Sequence, residues 1–459
     1  MSAPGNQNDV LNSRPMSGDK SLKFGLADTF RLAWQDPDLK SRIIFVLSVF
    51  AIFALCIHVP VPITGVTPEE INRLIASNAV FGMLNSFGGR ALQRVSILAL
   101  GLNPYITASI IMQILLAANP AWKKEQQEGG EFGRRQQSKR TRYLTLVLCV
   151  GQGLGLIQLL SSSPQIKAAF AAHWYTVPST IIFWTAGAML MLWLGEQLTE
   201  RGIGNGVSLL IFAGIALSFP QTLQLIYDNR SVVNMFGLAF VGLLFVLATW
   251  FVVYFSIAQR RIPIQNSRRQ FNQKVVGGQS GSSYLPFSVV MVGVIPIIFA
   301  VSLIYLPGQF AMMMPAGSGP RAFLEQVATY MSPNFKDPRG IVGIFAYTGL
   351  IFFFTYFYTA IQFNVDDITM QLKRSQAMIP GVRPGKQTRD FLDGVITRVT
   401  VVGAFCLAIV ALTQYVVPVF INVASVAALF GTSLLILVSV ALETMRQIEA
   451  NIMMKQYGQ

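Results

Sequence analysis

The sequence predicts an all-α membrane protein, and three observations carry that reading. Of its 459 residues, 53% are hydrophobic and only 12% charged, whereas soluble domains carry about 25% charged residues. The apolar residues form continuous runs rather than an alternating pattern, which favours spanning helices over a barrel. Lys and Arg collect between the runs and do so unevenly.

Residues 1–20 are polar with no apolar centre, so they are expected to be disordered and to contain no signal peptide. Segment 21–42 follows, with Leu22, Leu26, Phe30 and Ala33, joined by Trp34, on one helical face and Pro37 closing the first helix. That face fits either the membrane surface or the loops of its own protein.

Ten spans are expected, at about 43–61, 98–118, 143–160, 177–198, 204–219, 235–257, 286–306, 341–363, 395–417 and 423–442. Residues 443–459 form a short tail. Sorting the loops by face puts 27 of the 35 Lys and Arg residues on the face that carries both termini, and 8 on the other. By the positive-inside rule the termini and long basic loops are cytoplasmic. Much of the +14 net charge therefore reflects topology and is not evidence of nucleic-acid binding.

The three cysteines, Cys56, Cys149 and Cys406, lie within apolar runs and read as small core residues, with neither a disulfide framework nor a metal site suggested. No Asp, Glu or Lys lies deep in a span, and Arg398 stands at the edge of the ninth. Ion-coupled transporters generally need such buried groups. No nucleotide-binding loop or metalloprotease helix is present, so an enzyme and a cofactor are not expected.

Two spans share one device. Gly101, Pro104 and Ile106 in the second repeat at Gly293, Pro296 and Ile298 in the seventh, a Gly-x-x-Pro-x-Ile spacing. Paired Gly/Pro-interrupted segments point to a central pathway, and a proline inside a helix would permit a bend.

Ser86–Leu116, TRYLTLVL (141–148), MLWLGEQLTERGIGNGVSLLIFAGI (191–215), VIPIIFA (294–300), PGVRPGKQT (380–388) and FGTSLLILV (430–438) resemble the SecY family of bacterial protein-translocation channels. The resemblance runs from about Leu22 to the tail, and the polar strings EQLTERGIGNG and RPGKQT make it specific. It implies ten transmembrane helices in two pseudo-symmetric inverted halves, residues 43–219 and 220–442, with a polypeptide path between them. A lateral gate would lie between spans 2–3 and 7–8.

Carried over by position, the pore ring falls on Leu102, Ile106, Val207, Ile211, Ile298 and Ile436. Leu102 and Val207 depart from an isoleucine-rich ring but keep it apolar. The plug corresponds to 87–99, with Phe87, then Gly88 and Gly89 as a flexible start and Arg90 and Arg94 on its exposed face. The gate falls on Thr107, Ile110 and Gln113 against Val301, Ser302 and Leu306; Gln113 reads equally well as an interhelical hydrogen-bonder. Arg260, Arg261 and Arg383 would dock the ribosome and the SecA motor, with Arg383 braced by Pro380-Gly381 and Pro384-Gly385.

SecE and SecG are the implied partner subunits, signal peptides and preproteins the clients, and membrane lipid the surroundings. Ribosomal RNA would be the sole nucleic acid touched. The implied location is the bacterial plasma membrane, with a thylakoid membrane as the alternative. From the residues alone, a small-solute transporter and an assembly scaffold remain the competing readings.

Overall fold

The computed structural model describes residues 26–457, apart from 64–87, 120, 123–124, 126–128, 162–163, 172, 229–234, 267–282, 316, 336, 364 and 422–428. The expected disordered stretch 1–20, Leu22 and Phe87 lie outside the described residues. In chain order the helices are α1 (Leu26–Gln35), α2 (Pro37–Ile57), α3 (Asn103–Ala118), α4 (Gly130–Leu160), α5 (Pro164–Ala171), α6 (Thr176–Arg201) and α7 (Gly206–Asp228). Then come α8 (Met235–Ile257), strands β1 (Gln259–Asn266) and β2 (Ser283–Ser288), α9 (Ile295–Met313), α10 (Gly319–Met331), α11 (Pro338–Gln362), α12 (Val365–Arg374), strand β3 (Ala377–Met378), α13 (Lys386–Ile421) and α14 (Thr432–Tyr457).

A helix stands at each of the ten expected spans: α2, α3, α4, α6, α7, α8, α9, α11, α13 and α14. Among the described residues, seven helices are long and apolar enough to cross a membrane, and α3 is a shorter apolar helix. The chain is an all-α, multi-pass membrane protein. One apolar core joins nine of these helices, from Phe53 of α2 and Ile110 of α3 to Leu407 of α13 and Leu435 of α14. A second packs Cys149, Leu156 and Trp184 of α4 and α6 around Leu92, Val95 and Leu100.

Several boundaries differ from the sequence expectation. The second span begins at Asn103, because residues 88–102 form irregular turns. The seventh begins at Ile295 and not at 286, because 283–288 is strand β2. That strand pairs antiparallel with β1, from Gln259↔Ser288 to Ile264↔Ser283, and β1 also pairs with β3 at Gln265↔Met378. Pro286 is tolerated because β2 is an edge strand, and Pro263 because β3 reaches only the far end of β1. Ile262 and Phe287 bury the inner face of this sheet against Leu392 and Ile396 of α13. The tail is not a separate segment, since α14 continues to Tyr457.

Where the expected apolar face of α1 is described, Ala33 packs on its own protein, chiefly against helices. Ala33 is fully buried with Leu39, Ile203, Ile448 and Ile452, so α1 packs on the C-terminal helix of its own chain. Trp34 remains exposed with the Lys40 ammonium 5.5 Å from its ring. Lys455 Nζ donates to Asp36 Oδ1 at 2.9 Å and to Asp38 Oδ2 at 3.3 Å, clipping the chain's two ends together.

Lys455→Glu is expected to release α1 from α14, seen as faster amide exchange over 26–35 with α2 unchanged. Titration gives the sign. The Lys455 hydrogen bond lowers the Asp36 pKa, so this contribution is complete above the ordinary aspartate value of about 3.9 and is lost as pH falls through the folded-state value. The Asp36 hydrogen bond raises the Lys455 pKa, so at the other extreme the clip is complete below the ordinary lysine value and is lost as pH rises through the raised one.

A candidate pore and lateral gate

Gly101 and Gly293 both adopt the left-handed region, with φ of 55° and 69°. Only glycine enters that region freely, and here it turns an irregular approach into the axis of a helix. The next residues cap α3 and α9 in nearly the same conformation: Leu102 has φ −88° and ψ −2°, Val294 has φ −91° and ψ −6°. Ile106 N–H then donates to Leu102 O at 2.9 Å, and Ile298 N–H to Val294 O at 3.2 Å. Pro104 and Pro296 occupy the first turns, where the missing N–H has no intrahelical partner to lose. The shared spacing therefore starts two helices alike and does not bend them, contrary to the sequence expectation. The internal proline of the seventh span is Pro307.

Of the six expected ring residues, Ile106, Val207, Ile211 and Ile298 line one cavity, and Leu102 and Ile436 are not among its lining. Leu102, Ile106, Ile211, Ile298 and Ile436 are all buried in the large core, and Val207 packs against it half-exposed. Ile106, Val207, Ile211 and Ile298, together with Ile295, which was not expected there, form the aliphatic lining of this cavity of about 680 Å3. The lining also includes the rings of Tyr105, Phe299 and Tyr358 and a charged group, Glu131, Arg135 and Arg142 from α4 and Glu196 and Glu200 from α6. Arg142 donates to both carboxylate oxygens of Glu196, at 2.9 and 2.7 Å, and ties these helices together. An aliphatic neck gives an ion nothing in exchange for its hydration shell.

Residues 88–102 pack among α2, α6 and α7. Val61 N–H donates to Val95 O at 2.9 Å and Ile97 N–H to Val59 O at 3.1 Å, so the stretch after α2 holds the segment. A Cβ on Gly187 of α6 would run into the Ile97 carbonyl, and one on Gly89 would meet Ile57 Cδ1 at 2.8 Å. Gly89 itself sits at φ 64°, so the expected flexible start is a defined turn among the residues described. Arg90 and Arg94 are only half-exposed, which corrects the expected exposed face. Arg90 reaches inward and donates to Thr222 Oγ1 of α7 at 2.9 Å, because a guanidinium beside a buried wall needs an acceptor.

The residues expected at the gate are also interior. Thr107, Ile110, Val301 and Ser302 are buried, while Gln113 and Leu306 are half-exposed. The Ser302 hydroxyl is used within its own helix, donating to Ile298 O at 2.8 Å. Gln113 accepts a hydrogen bond from the Tyr358 hydroxyl of α11 and donates to Ser109 at 3.2 Å, so the hydrogen-bonding reading of this residue holds. A second polar link went unnoticed in the sequence: Gln152 of α4 donates to Gln309 of α9 at 3.1 Å. Around it, a Cβ on Gly155 would meet the Met312 backbone at 3.0 Å, and Gly151 abuts Met313. The spacing Gly151-x-x-x-Gly155 within an apolar run was the available signal. The contacts are not wholly apolar, as the sequence led one to expect, but no buried ion pair crosses here among the described residues.

On the sheet, Arg260 and Arg261 are exposed, and Arg261 lies 4.8 Å from the Tyr284 ring. Arg383 is exposed between Gly381 at φ 80° and Gly385 at φ 109°. Its carbonyl accepts from Thr388 Oγ1 at 2.8 Å, which fixes the turn that presents it. Among the described residues no cluster could hold a metal ion.

The SecY family model matches residues 96–445. The protein translocase subunit SecY of Pseudomonas aeruginosa is 39% identical over 426 residues, covering 92% of each chain. That of Escherichia coli K12 is 37% identical over 431 residues, covering 92% of this chain and 93% of its own. Two solved structures share the fold at lower identity. One, described as a protein conducting channel, has a TM-score of 0.63 at 17% identity, covering 90% of this chain and 92% of its own. The other, Sec61 in the canine ribosome-channel complex, has a TM-score of 0.61 at 16% identity with the same coverage. With a family model spanning most of the sequence and relatives matching along almost its whole length, the chain belongs to the SecY family of protein translocase subunits.

Proposed function

We propose that this chain forms the central path along which an unfolded polypeptide crosses the membrane, with a side exit for hydrophobic segments. The observation that carries the proposal is the meeting of Ile106, Val207, Ile211 and Ile298 in the lining of one cavity that also holds a charged group from α4 and α6. A charged vestibule leading to an aliphatic neck admits a hydrated chain, then moulds around it while excluding ions. Leu102 and Ile436 complete the collar. Segment 88–99, with Gly88, Gly89, Arg90 and Arg94, plugs the resting path and must be displaced for passage.

The gate lies between α3–α4 and α9–α11. Gln113–Tyr358 and Gln152–Gln309 bridge its two sides, and Thr107, Ile110, Val301, Ser302 and Leu306 supply the packing between. The halves 43–219 and 220–442 part along this line. Both termini and the basic loops face the cytoplasm of the bacterial plasma membrane, as the Lys and Arg asymmetry supports. Arg260, Arg261 and Arg383 dock the ribosome or the SecA motor, which supplies the energy; SecE and SecG complete the assembly. The canine relative is described in a ribosome-channel complex, which favours ribosome docking here.

Replacing Ile106 and Ile298 together with Ser is expected to raise ion leak through the resting channel severalfold in planar bilayers. Unchanged conductance would remove these residues from the neck. Replacing Gln152 with Leu should favour opening. An interhelical hydrogen bond in lipid is worth about 0.6 kcal/mol, so the open fraction should rise about threefold, and weak signal sequences should be exported better. Cysteines at Ile110 and Leu306, in a chain lacking Cys56, Cys149 and Cys406, test the exit itself. Once oxidised they should stop export and membrane integration, and reduction should restore both. Arg383→Glu should slow motor-driven export while leaving assembly intact, with lysine rescuing only partly because it lacks the planar fork.

A further inference from the structure

Helix α10 connects α9 to α11 on the face opposite the basic loops, and it has more apolar surface than the protein covers. At 100° per residue, Tyr330, Phe323, Val327, Met331, Leu324 and Ala328 span one continuous arc, with Glu325 and Thr329 opposite. Leu324, Val327, Ala328 and Met331 are half-buried, yet Phe323 is 64% exposed and Tyr330 47% exposed at the free edge of that arc.

Both ends of α10 are tied to the ends of the apolar helices α9 and α11. At its start, Arg321 Nη1 donates at 3.3 Å to the carbonyl of Met314, the residue that caps α9. At its end, the Tyr330 ring lies 6.0 Å from the guanidinium of Arg339. Arg339 is the last charge before an uncharged run from Gly340 to Val365. Two residues beyond Arg339 begin Ile341, Val342 and Phe345, which are 47%, 56% and 74% exposed on the membrane-spanning helix α11. Tyr330, at the uncovered edge of α10, thus stands beside the start of the exposed apolar face of α11.

The geometry points to α10 as a membrane-seated helix: Phe323 and Tyr330 dip into the headgroup–acyl boundary of the leaflet opposite the basic loops, and Glu325 and Thr329 face water. The chemistry suits that depth. Phe323 is wholly apolar, while Tyr330 is an amphipathic ring beside a cation, the pairing enriched at membrane interfaces. Because α10 packs along both α9 and α11, the seat anchors the outer ends of two gate-bordering helices to the bilayer.

The test places a nitroxide at Phe323→Cys, Tyr330→Cys and, as the control, Thr329→Cys in a chain with Cys56, Cys149 and Cys406 replaced by alanine. The chain is reconstituted with its partner subunits in phosphatidylethanolamine–phosphatidylglycerol vesicles, and collisions with oxygen and with a water-soluble nickel chelate are measured. Oxygen collisions should exceed those of the chelate severalfold at 323 and 330, with the reverse at 329. Chelate collisions dominating at 323 and 330 would place this edge in water and overturn the proposal. Low collision rates with both reagents would show it covered by protein, which overturns it equally. The two positions report independently, and both side chains are exposed, so the label is not forced into a packed core.

Discussion

Lipid cannot hydrogen-bond a peptide group, so irregular backbone at membrane depth survives only where protein encloses it. Residues 88–102 impose that constraint on this fold. They form turns where a membrane helix would otherwise run, and each backbone group that leaves the helical pattern has to be met from elsewhere. Val59 and Val61 meet two of them, and Ser96 contributes both its N–H, to Ala91 O, and its hydroxyl, from Leu98 N. The surrounding helices are thinned to let the segment in: Gly187 on α6 and Gly214 on α7 face it without a Cβ. The two packed cores meet on this segment, Leu98 and Leu102 belonging to one and Leu92, Val95 and Leu100 to the other.

The same constraint explains where the helices beside the neck begin. A helix that starts inside the protein leaves its first N–H groups without intrahelical partners. Proline in the first turn of α3 and of α9 removes one such donor at each start, and a left-handed glycine lets the chain arrive at a steep angle. Ile106 and Ile298 are then each four residues past a cap of nearly the same dihedrals, so two unrelated stretches of chain deliver an isoleucine to the neck in the same way. The pair of spacings visible in the sequence is thus a positioning device for side chains, and the proline inside the seventh helix is Pro307.

What was legible in the sequence was the part encoded by local composition. The apolar runs located all ten helices, and the glycine and proline spacing singled out α3 and α9. The candidate ring residues were singled out only through long motifs, since an isoleucine in an apolar run looks like any other core residue. Three features stayed hidden because distant partners create them. Strand β3 is two residues long and exists only by pairing with β1. The inward turn of Arg90 depends on Thr222, 132 positions away. The burial of α1 depends on Ile448 and Ile452 at the opposite end of the chain.

Gate energetics follow from what the interface lacks as much as from what it contains. In the proposed gate, opening would exchange the aliphatic contacts between α3 and α9 for lipid tails of equal apolarity, so those contacts would hold register but little free energy. An ion pair at that depth would cost several kcal/mol of desolvation when broken, locking the exit. Gln113–Tyr358 and Gln152–Gln309 lie between these extremes. At about 0.6 kcal/mol each they favour the closed state by roughly 1 kcal/mol in total, a factor of several in population. An incoming segment needs only a modest preference for the open state to reverse such a balance, and a segment without that preference shifts nothing. In the gate proposed here, two links of this strength would keep an idle exit mostly shut and still let hydrophobicity alone open it.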